Sequence, residues 1–307
     1  MEEGLGMDPL EVTAVMLCEV FPGHPKYRNL AFLDWEYRGS PSGQAIEANA
    51  EDEQGRTGHY AVIPQRWMVD GQVSRYALSL DSSVAERSRG RGLFSTLGNQ
   101  VADQARSSGY TALIGLANAQ ATPGQVRNIG FELIRSLPVV IHLPTAVRGV
   151  RSFDVISPEA LPGWLEESGG AITPASGAWR IWDAAEIKWR LSDPVHDYEV
   201  IVDDNLAAVV HITRFRGLPV VVILKTFVSS SVGEVSVSKL VTAACLRHRA
   251  PFAIHAGYNP RLRRSGIPVP MRLRPSPLNL ILKPLAVGVP ASSLVPSCLE
   301  FFDFDAY

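Results

Sequence analysis

Arg89-Gly90-Arg91-Gly92, with Arg87 two residues before it, is the stretch of this chain whose residue types state a chemistry. The two glycines lack the Cβ atoms that would hold an anion off the backbone, and the arginines at 87, 89 and 91 carry charge that can reach phosphate oxygens. What they do together depends on their flanks. Arg75 to Val84 alternates apolar residues at Tyr76, Leu78 and Leu80, as a strand does, while Leu93, Leu97, Val101 and Ala105 fall on one face of a helix from Leu93 to Arg106. A strand that feeds a Gly-rich turn into a helix N-terminus aims several backbone N–H groups one way, at the positive end of the helix dipole. That is a phosphate site. An isolated Gly-x-Gly would be an ordinary solvated loop; the strand before it and the helix after it argue otherwise.

The rest of the chain has to position this turn. Its 307 residues, 46% hydrophobic and 20% charged, suffice for two domains of ordinary size. A net charge of −2 leaves no electrostatic footprint for nucleic acid. Cys18, Cys245 and Cys298 are odd in number and far apart, which points to a reducing compartment and to neither a disulfide framework nor a metal site. The acidic N-terminus lacks the basic and apolar parts of a signal peptide, and no apolar run approaches the ~20 residues of a membrane span. A soluble cytoplasmic protein is the expectation.

In order, the pattern predicts a helix over 8–20, a segment around Trp35 and Tyr37, strands over 44–50 and 58–64, the strand–turn–helix above closed by Gly109, an all-apolar strand over 110–117, and a short helix over 123–129 ended by Gly130-Phe131. Asn118, at the C-terminal end of the 110–117 strand, stands where ligands sit in open α/β sheets, or else caps the next turn. Leu133 to Leu143 reads as a closing strand. Residues 151–178, rich in Pro and Gly, read as a connector with one helical piece at Trp164. After it the landmarks return: Trp189, Pro194, Asn259 and Gly266 follow Trp35, Pro41, Asn118 and Gly130 at offsets of 154, 153, 141 and 136, as in one fold repeated with shorter loops. Ser229 to Val235 stands in place of the turn, with one glycine and no cation.

The motif resembles the acyl-CoA pyrophosphate loop of the GNAT (GCN5-related N-acetyltransferase) superfamily: Arg or Gln, two residues, Gly, one residue, Gly or Ala. Arg89-Gly90-Arg91-Gly92-Leu93-Phe94 matches with Phe94 in place of the last small residue, and a register two residues earlier matches in full. The resemblance implies an α/β fold with a mixed sheet, built as two tandem GNAT-like domains: residues 1–150 holding acetyl-CoA or another acyl-CoA, and residues 179–307 a degenerate copy that completes the substrate cleft. It implies that pantetheine enters between the fourth and fifth strands and that a backbone N–H near Leu80 to Val84 polarises the thioester carbonyl. Asn118 and Gly130-Phe131 match family landmarks. Val126 stands where many members carry the tyrosine that protonates the departing thiolate.

The implied activity is acyl transfer to a small-molecule amine or hydroxyl by direct attack in a ternary complex, by a monomer or homodimer. Asp81 and His59 are the leading candidates for the base; Glu86, Asp34 and Glu36 are weaker ones, each with an ordinary structural role open to it. Trp35 and Tyr37 are candidate substrate contacts, and the cluster Arg261-Leu-Arg-Arg264 with Arg272 and Arg274 is either a holder of an anionic substrate group or a solvated loop. Two rivals remain: a non-catalytic acyl-CoA sensor, which the Val126 departure favours, and a Fem-like aminoacyl transferase, which needs no diphosphate loop.

Overall fold

The first two helices of the chain begin at short polar caps. Asp8 accepts from the Leu10 N–H at 2.8 Å and Pro9 follows as the first helical residue of α1 (Pro9–Val20); Asn29 caps α2 (Leu30–Tyr37) in the same way. This is a computed structural model, and it describes residues 7–145, 153–169 and 176–304. Residues 1–6, on which the signal-peptide reading rests, and Thr173-Pro-Ala175 of the connector lie outside the described residues.

Three strands follow, β1 (Ile46–Asp52), β2 (Gly55–Val69) and β3 (Gln72–Val84), then α3 (Leu93–Ser107), β4 (Ala112–Ala117), and α4 (Thr122–Gly124), which continues as a π-helix over Gln125–Ile129. Next come β5 (Glu132–Ser136), β6 (Val139–His142), β7 (Asp154–Ile156), α5 (Leu161–Ser168), β8 (Ala178–Arg180) and α6 (Ala184–Leu191). The chain ends with β9 (Glu199–Val202), β10 (Leu206–Phe215), β11 (Leu218–Val228), α7 (Ser238–His248), β12 (Ala253–Tyr258), β13 (Ile267–Pro268), β14 (Asn279–Pro284) and β15 (Leu299–Glu300). β2 runs past the expected 58–64 because Asp70 and Gly71, at φ 47° and 80°, make a tight hairpin turn to β3.

The strands form two mixed sheets. The first is ordered β1-β2-β3-β4-β14-β5, with β8 beside β2; the second is β13-β6-β12-β11-β10-β9-β7, with β15 beside β12. Leu133 to Leu143 is therefore two strands rather than one. Pro138 has no N–H to continue a ladder, and after it β6 leaves the first sheet to pair with β12 and β13 of the second. The exchange is reciprocal, since β14 returns to lie between β4 and β5.

Alternation sends each strand's residues to two cores. Tyr76, Leu78, Ala112 and Ile114 face the second sheet and meet Val200, Val209, Val222 and Leu224, while Ala77 and Leu113 face α3. Val221 and Ile223 lie under α7, so β11 is buried on both faces. The two sheets thus share the core that contains Trp67, Trp182 and Phe302. Trp35 and Trp189 meet beside it, stacked at 5.2 Å, each indole N–H donating to the other's carbonyl at 2.7 and 2.9 Å. No helix among the described residues is long and apolar enough to cross a membrane.

Residues 1–150 on their own lack β14, so β4 and β5 each lose a ladder and the shared apolar face is exposed. Expressed alone, this fragment is predicted to aggregate or to assemble through exposed edges; a soluble folded monomer by light scattering and circular dichroism would contradict that.

Candidate active site

β3 and β4 run parallel but pair only from Tyr76 opposite Ala112 to Ser79 opposite Gly115. Past that point β3 carries a bulge: its pairing with β2 passes from Leu80 opposite Ala61 to Ser83 opposite His59, leaving Asp81 and Ser82 against Tyr60 alone. Asp81 takes φ 48°, a conformation that Asp tolerates better than most residues. The strands part there, and a cavity of about 580 Å³ opens between Ser79 to Ser82 on one wall and Gly115 to Asn118 on the other. Phe21, His24 and Tyr27 after α1, His196 after α6, and Phe304 close its far side.

The Gly-rich turn follows the same strand. Gly90 and Gly92 sit at φ 77° and 75°, with no atom within 4 Å of where a Cβ would stand, so the backbone is open to a ligand at both. Gly92 caps α3 without any side-chain acceptor, and the first ladder bond runs from Thr96 N–H to the Gly92 carbonyl at 3.1 Å. The helix N–H groups before Thr96 are left for a ligand or solvent. Arg91 is exposed, and Arg89 is exposed with its Nε on the Val84 carbonyl at 3.2 Å. Arg87 is committed elsewhere, to Asp52 at 3.2 Å and Glu19 at 3.6 Å. Leu93 and Leu97 pack on Gly58, where any Cβ would collide with them, and Phe94 lies on Tyr60 beside Gly124.

Inside the cavity the bulge presents one carboxylate between two phenols. Tyr27 Oη donates to Asp81 Oδ1 at 2.5 Å and Tyr37 Oη to Asp81 Oδ2 at 2.9 Å. Behind Tyr37, His59 Nε2 lies 3.0 Å from the same hydroxyl, its ring stacked on Tyr37 at 5.7 Å, and His59 Nδ1 lies 2.7 Å from Asn49 Oδ1. Burial, and secondarily the Arg56 charge, pushes the His59 imidazole down to about 3. Burial, reinforced by the Asp81 charge, holds the Tyr37 phenol well above its usual 10. Tyr60, buried behind the cavity and pushed up to about 12, bridges Ser79 Oγ and Gln125 Oε1.

The corresponding gap in the second sheet is filled by the chain itself. β11 and β12 pair only from Val221 opposite Ala253 to Ile223 opposite His255, and beyond it β15 pairs with Gly257 and Tyr258. Gly257, at φ 106°, admits β15 because a Cβ there would overlap Leu299 and Glu300 backbone. Glu300 is held by Thr226 Oγ1 at 2.6 Å, His255 Nε2 at 3.1 Å and Lys225 Nζ at 3.3 Å, and Lys225 also pairs with Asp303 at 2.8 Å.

No family model and no curated protein matches the sequence. Solved structures do match. A GCN5-related N-acetyltransferase from Anabaena variabilis aligns over 92% of this chain and 72% of its own at 13% identity and a TM-score of 0.61. One from Kribbella flavida aligns over 90% and 69% at 14% identity and 0.61, and Eis1 from Mycobacterium abscessus over 90% and 71% at 13% identity and 0.54. The fold is that of the GCN5-related N-acetyltransferases.

On that GNAT fold the candidate residues separate. Arg89 to Gly92 lie in the turn, with Val84 ending β3 before it and Leu93 and Phe94 opening α3 after it, and Asn118 lines the cavity while also capping the next turn, its Oδ1 accepting from the Ala121 N–H at 2.8 Å. Of the base candidates only Asp81 lines the cavity. His59 is 1% exposed behind Tyr37, Asp34 and Glu86 face solvent, and Glu36 lies in a small void with Arg180 and Arg190. Tyr37, 1% exposed, reaches the cavity only through Asp81, and Trp35 is taken up by Trp189. Arg261 and Arg274 are spent on backbone carbonyls, those of Ser229 and Leu137 among them, and Arg272 is solvated. Tyr27, Gln125 and His196 line the cavity without having been candidates; for Tyr27 the run of aromatics from Phe21 to Tyr27 is the one local signal.

The folded-state value of His59 lies below its ordinary 6.5, so burial of the neutral ring contributes stability in full above about pH 6.5 and loses it as pH falls toward 3. An NMR titration of the His59 ring is therefore predicted to show no inflection between pH 5 and 8. A midpoint near 6.5 would contradict the buried neutral ring.

Proposed function

We propose that the protein is an acyl-CoA-dependent acyltransferase acting on a small-molecule amine or hydroxyl. The observation that carries this reading is that one strand, β3, leads both to the open gap beside β4 and to the uncapped Gly90–Gly92 turn, in a fold shared with N-acetyltransferases. The diphosphate of the acyl carrier is assigned to the turn, with Arg89 and Arg91 at hand, and its pantetheine amides to the unpaired edges of the two strands. Backbone N–H groups at the Leu80–Ser83 bulge are assigned to the thioester carbonyl, whose oxygen gains negative charge as the acceptor attacks.

Asp81 is the base in this reading. The acceptor nitrogen or oxygen bonds to the carbonyl carbon, its proton passes to Asp81, and the C–S bond breaks. Tyr27 and Tyr37 hold the carboxylate in place and favour its ionised form. Val126 has no proton to give the thiolate, and since a thiol ionises near ~8.5 the thiolate leaves as such and takes its proton from water. The same valine is the observation behind the rival reading of a non-catalytic acyl-CoA binder.

Calorimetry with acetyl-CoA is predicted to show binding to the native protein and none to Gly92→Glu, which forces a side chain and a negative charge onto a left-handed residue at the helix start. Equal affinity would remove the turn as the site. Asp81→Asn is predicted to keep acetyl-CoA binding and to lower turnover by about 10²- to 10⁴-fold, read as thiol release over a panel of amines. Binding without thiol release by the native protein would favour the binder.

A further inference from the structure

Asp81 is the inner end of a file of hydrogen bonds that crosses the sheet edge and reaches solvent on the other side. Tyr37 Oη lies 2.9 Å from Asp81 Oδ2 and 3.0 Å from His59 Nε2, and His59 Nδ1 lies 2.7 Å from Asn49 Oδ1 and 3.9 Å from Glu47 Oε2. The two middle groups are sealed at 1% exposure each, whereas Asp81 lines the cavity and Asn49 is exposed on β1. The parallel stack of the Tyr37 and His59 rings, 9° between planes, fixes their contact. The charged or titratable groups facing the file are Tyr27 and Glu36 beside Tyr37, and Arg56 and Glu47 beside His59.

Counting protons allows this file two arrangements in which a proton held between Asp81 Oδ2 and His59 leaves every contact a hydrogen bond. A phenol has one proton and an ionised carboxylate only accepts. While Asp81 is ionised, the Tyr37 proton points to Oδ2, the Tyr37 oxygen accepts from His59 Nε2–H, and Nδ1 is bare, with the exposed Asn49 amide turning its NH₂ to it. When Asp81 is protonated on Oδ2 every bond reverses: Asp81 donates to Tyr37, Tyr37 to Nε2, and Nδ1–H to Asn49 Oδ1. His59 is neutral in both states, in keeping with a buried ring that resists protonation to about 3.

We infer that His59 is a positioning residue for Asp81, acting through Tyr37, and that its neutral tautomer and the Asp81 charge are one coupled variable set from the solvent side of β1. The passage between the states balances. A proton binds Nδ1 from solvent, the Nε2 proton moves to the Tyr37 oxygen, and the Tyr37 proton moves to Asp81 Oδ2. One proton has crossed from solvent to the cavity, and His59 bears no charge before or after. A substrate that fills the cavity therefore does not isolate Asp81 from bulk protons. The role of Asp81 as base rests on the function proposed above; the coupling does not.

The decisive measurement is the His59 tautomer by ¹⁵N NMR at neutral pH, the ring assigned by its absence in His59→Gln. The native protein should show Nε2–H. Asp81→Leu removes the acceptor, so Tyr37 should turn its proton onto Nε2 and His59 should appear as Nδ1–H. The same tautomer in both proteins overturns the coupling. Tyr37→Phe supplies a second arm: with one phenol fewer on the carboxylate, the acid limb of kcat/KM should move up by roughly one pH unit while KM for acyl-CoA holds. An unmoved limb overturns the positioning role. Absence of turnover in the native protein would sink the acyltransferase reading, and the tautomer result would still decide the coupling.

Discussion

A parallel strand pair that parts while still inside the protein leaves backbone donors and acceptors facing a gap, and buried groups of that kind must find partners. This constraint organises both sheets. In each, the pair stays joined for only a few residues: Tyr76 to Ser79 against β4 in the first, Val221 to Ile223 against β12 in the second. The two halves meet the constraint in opposite ways. The second satisfies it from within, laying β15 along Gly257 and Tyr258 and fastening it with Glu300. The first leaves its gap as a cavity lined by polar and apolar groups.

The fastening of β15 shows what closing a gap costs. Lys225, Glu300 and Asp303 are buried together: Lys225 faces both carboxylates, and its charge, with hydrogen bonds from His255 and Thr226, lowers the Glu300 carboxyl against the penalty of burial. Removing one partner would strand the others in low dielectric. The same segment continues into Phe301, Phe302 and Phe304, which fill the core between the sheets, and Phe304 reaches the wall of the first cavity. The plug of one half is thus the back wall of the other. With the exchange of β6 and β14 and the Trp35–Trp189 pair, this makes each half depend on the other for its sheet and for its core.

The bulge in β3 links this architecture to chemistry. Two residues opposite one turn the strand away from β4, and the same geometry re-aims Asp81 into the space so made. A carboxylate there needs donors, and Tyr27 and Tyr37 arrive from the segment after α1 and from α2, which pack on the sheet through Leu17, Phe32 and Leu33. Strain at one residue, an opened sheet and an oriented carboxylate have a single origin.

Sequence alone determined the elements whose periodicity is local. The strand–turn–helix from Arg75 to Arg106 and the C′ glycine at 109 were legible because a turn of special φ needs Gly and a buried face needs apolar residues at fixed spacing. Asp81 was legible as a candidate base but not as the one that faces the cavity, since nothing local distinguishes it from Glu86 or Asp34. Tertiary structure decided what depends on residues distant in the chain. Tyr27 and Tyr37 reach Asp81 across 54 and 44 residues, β14 enters a sheet begun more than two hundred residues earlier, and Trp189 finds Trp35 across 154. Period and composition describe which face of an element is buried; which partner buries it, and which polar group then points into the space left over, is set only when the faces meet.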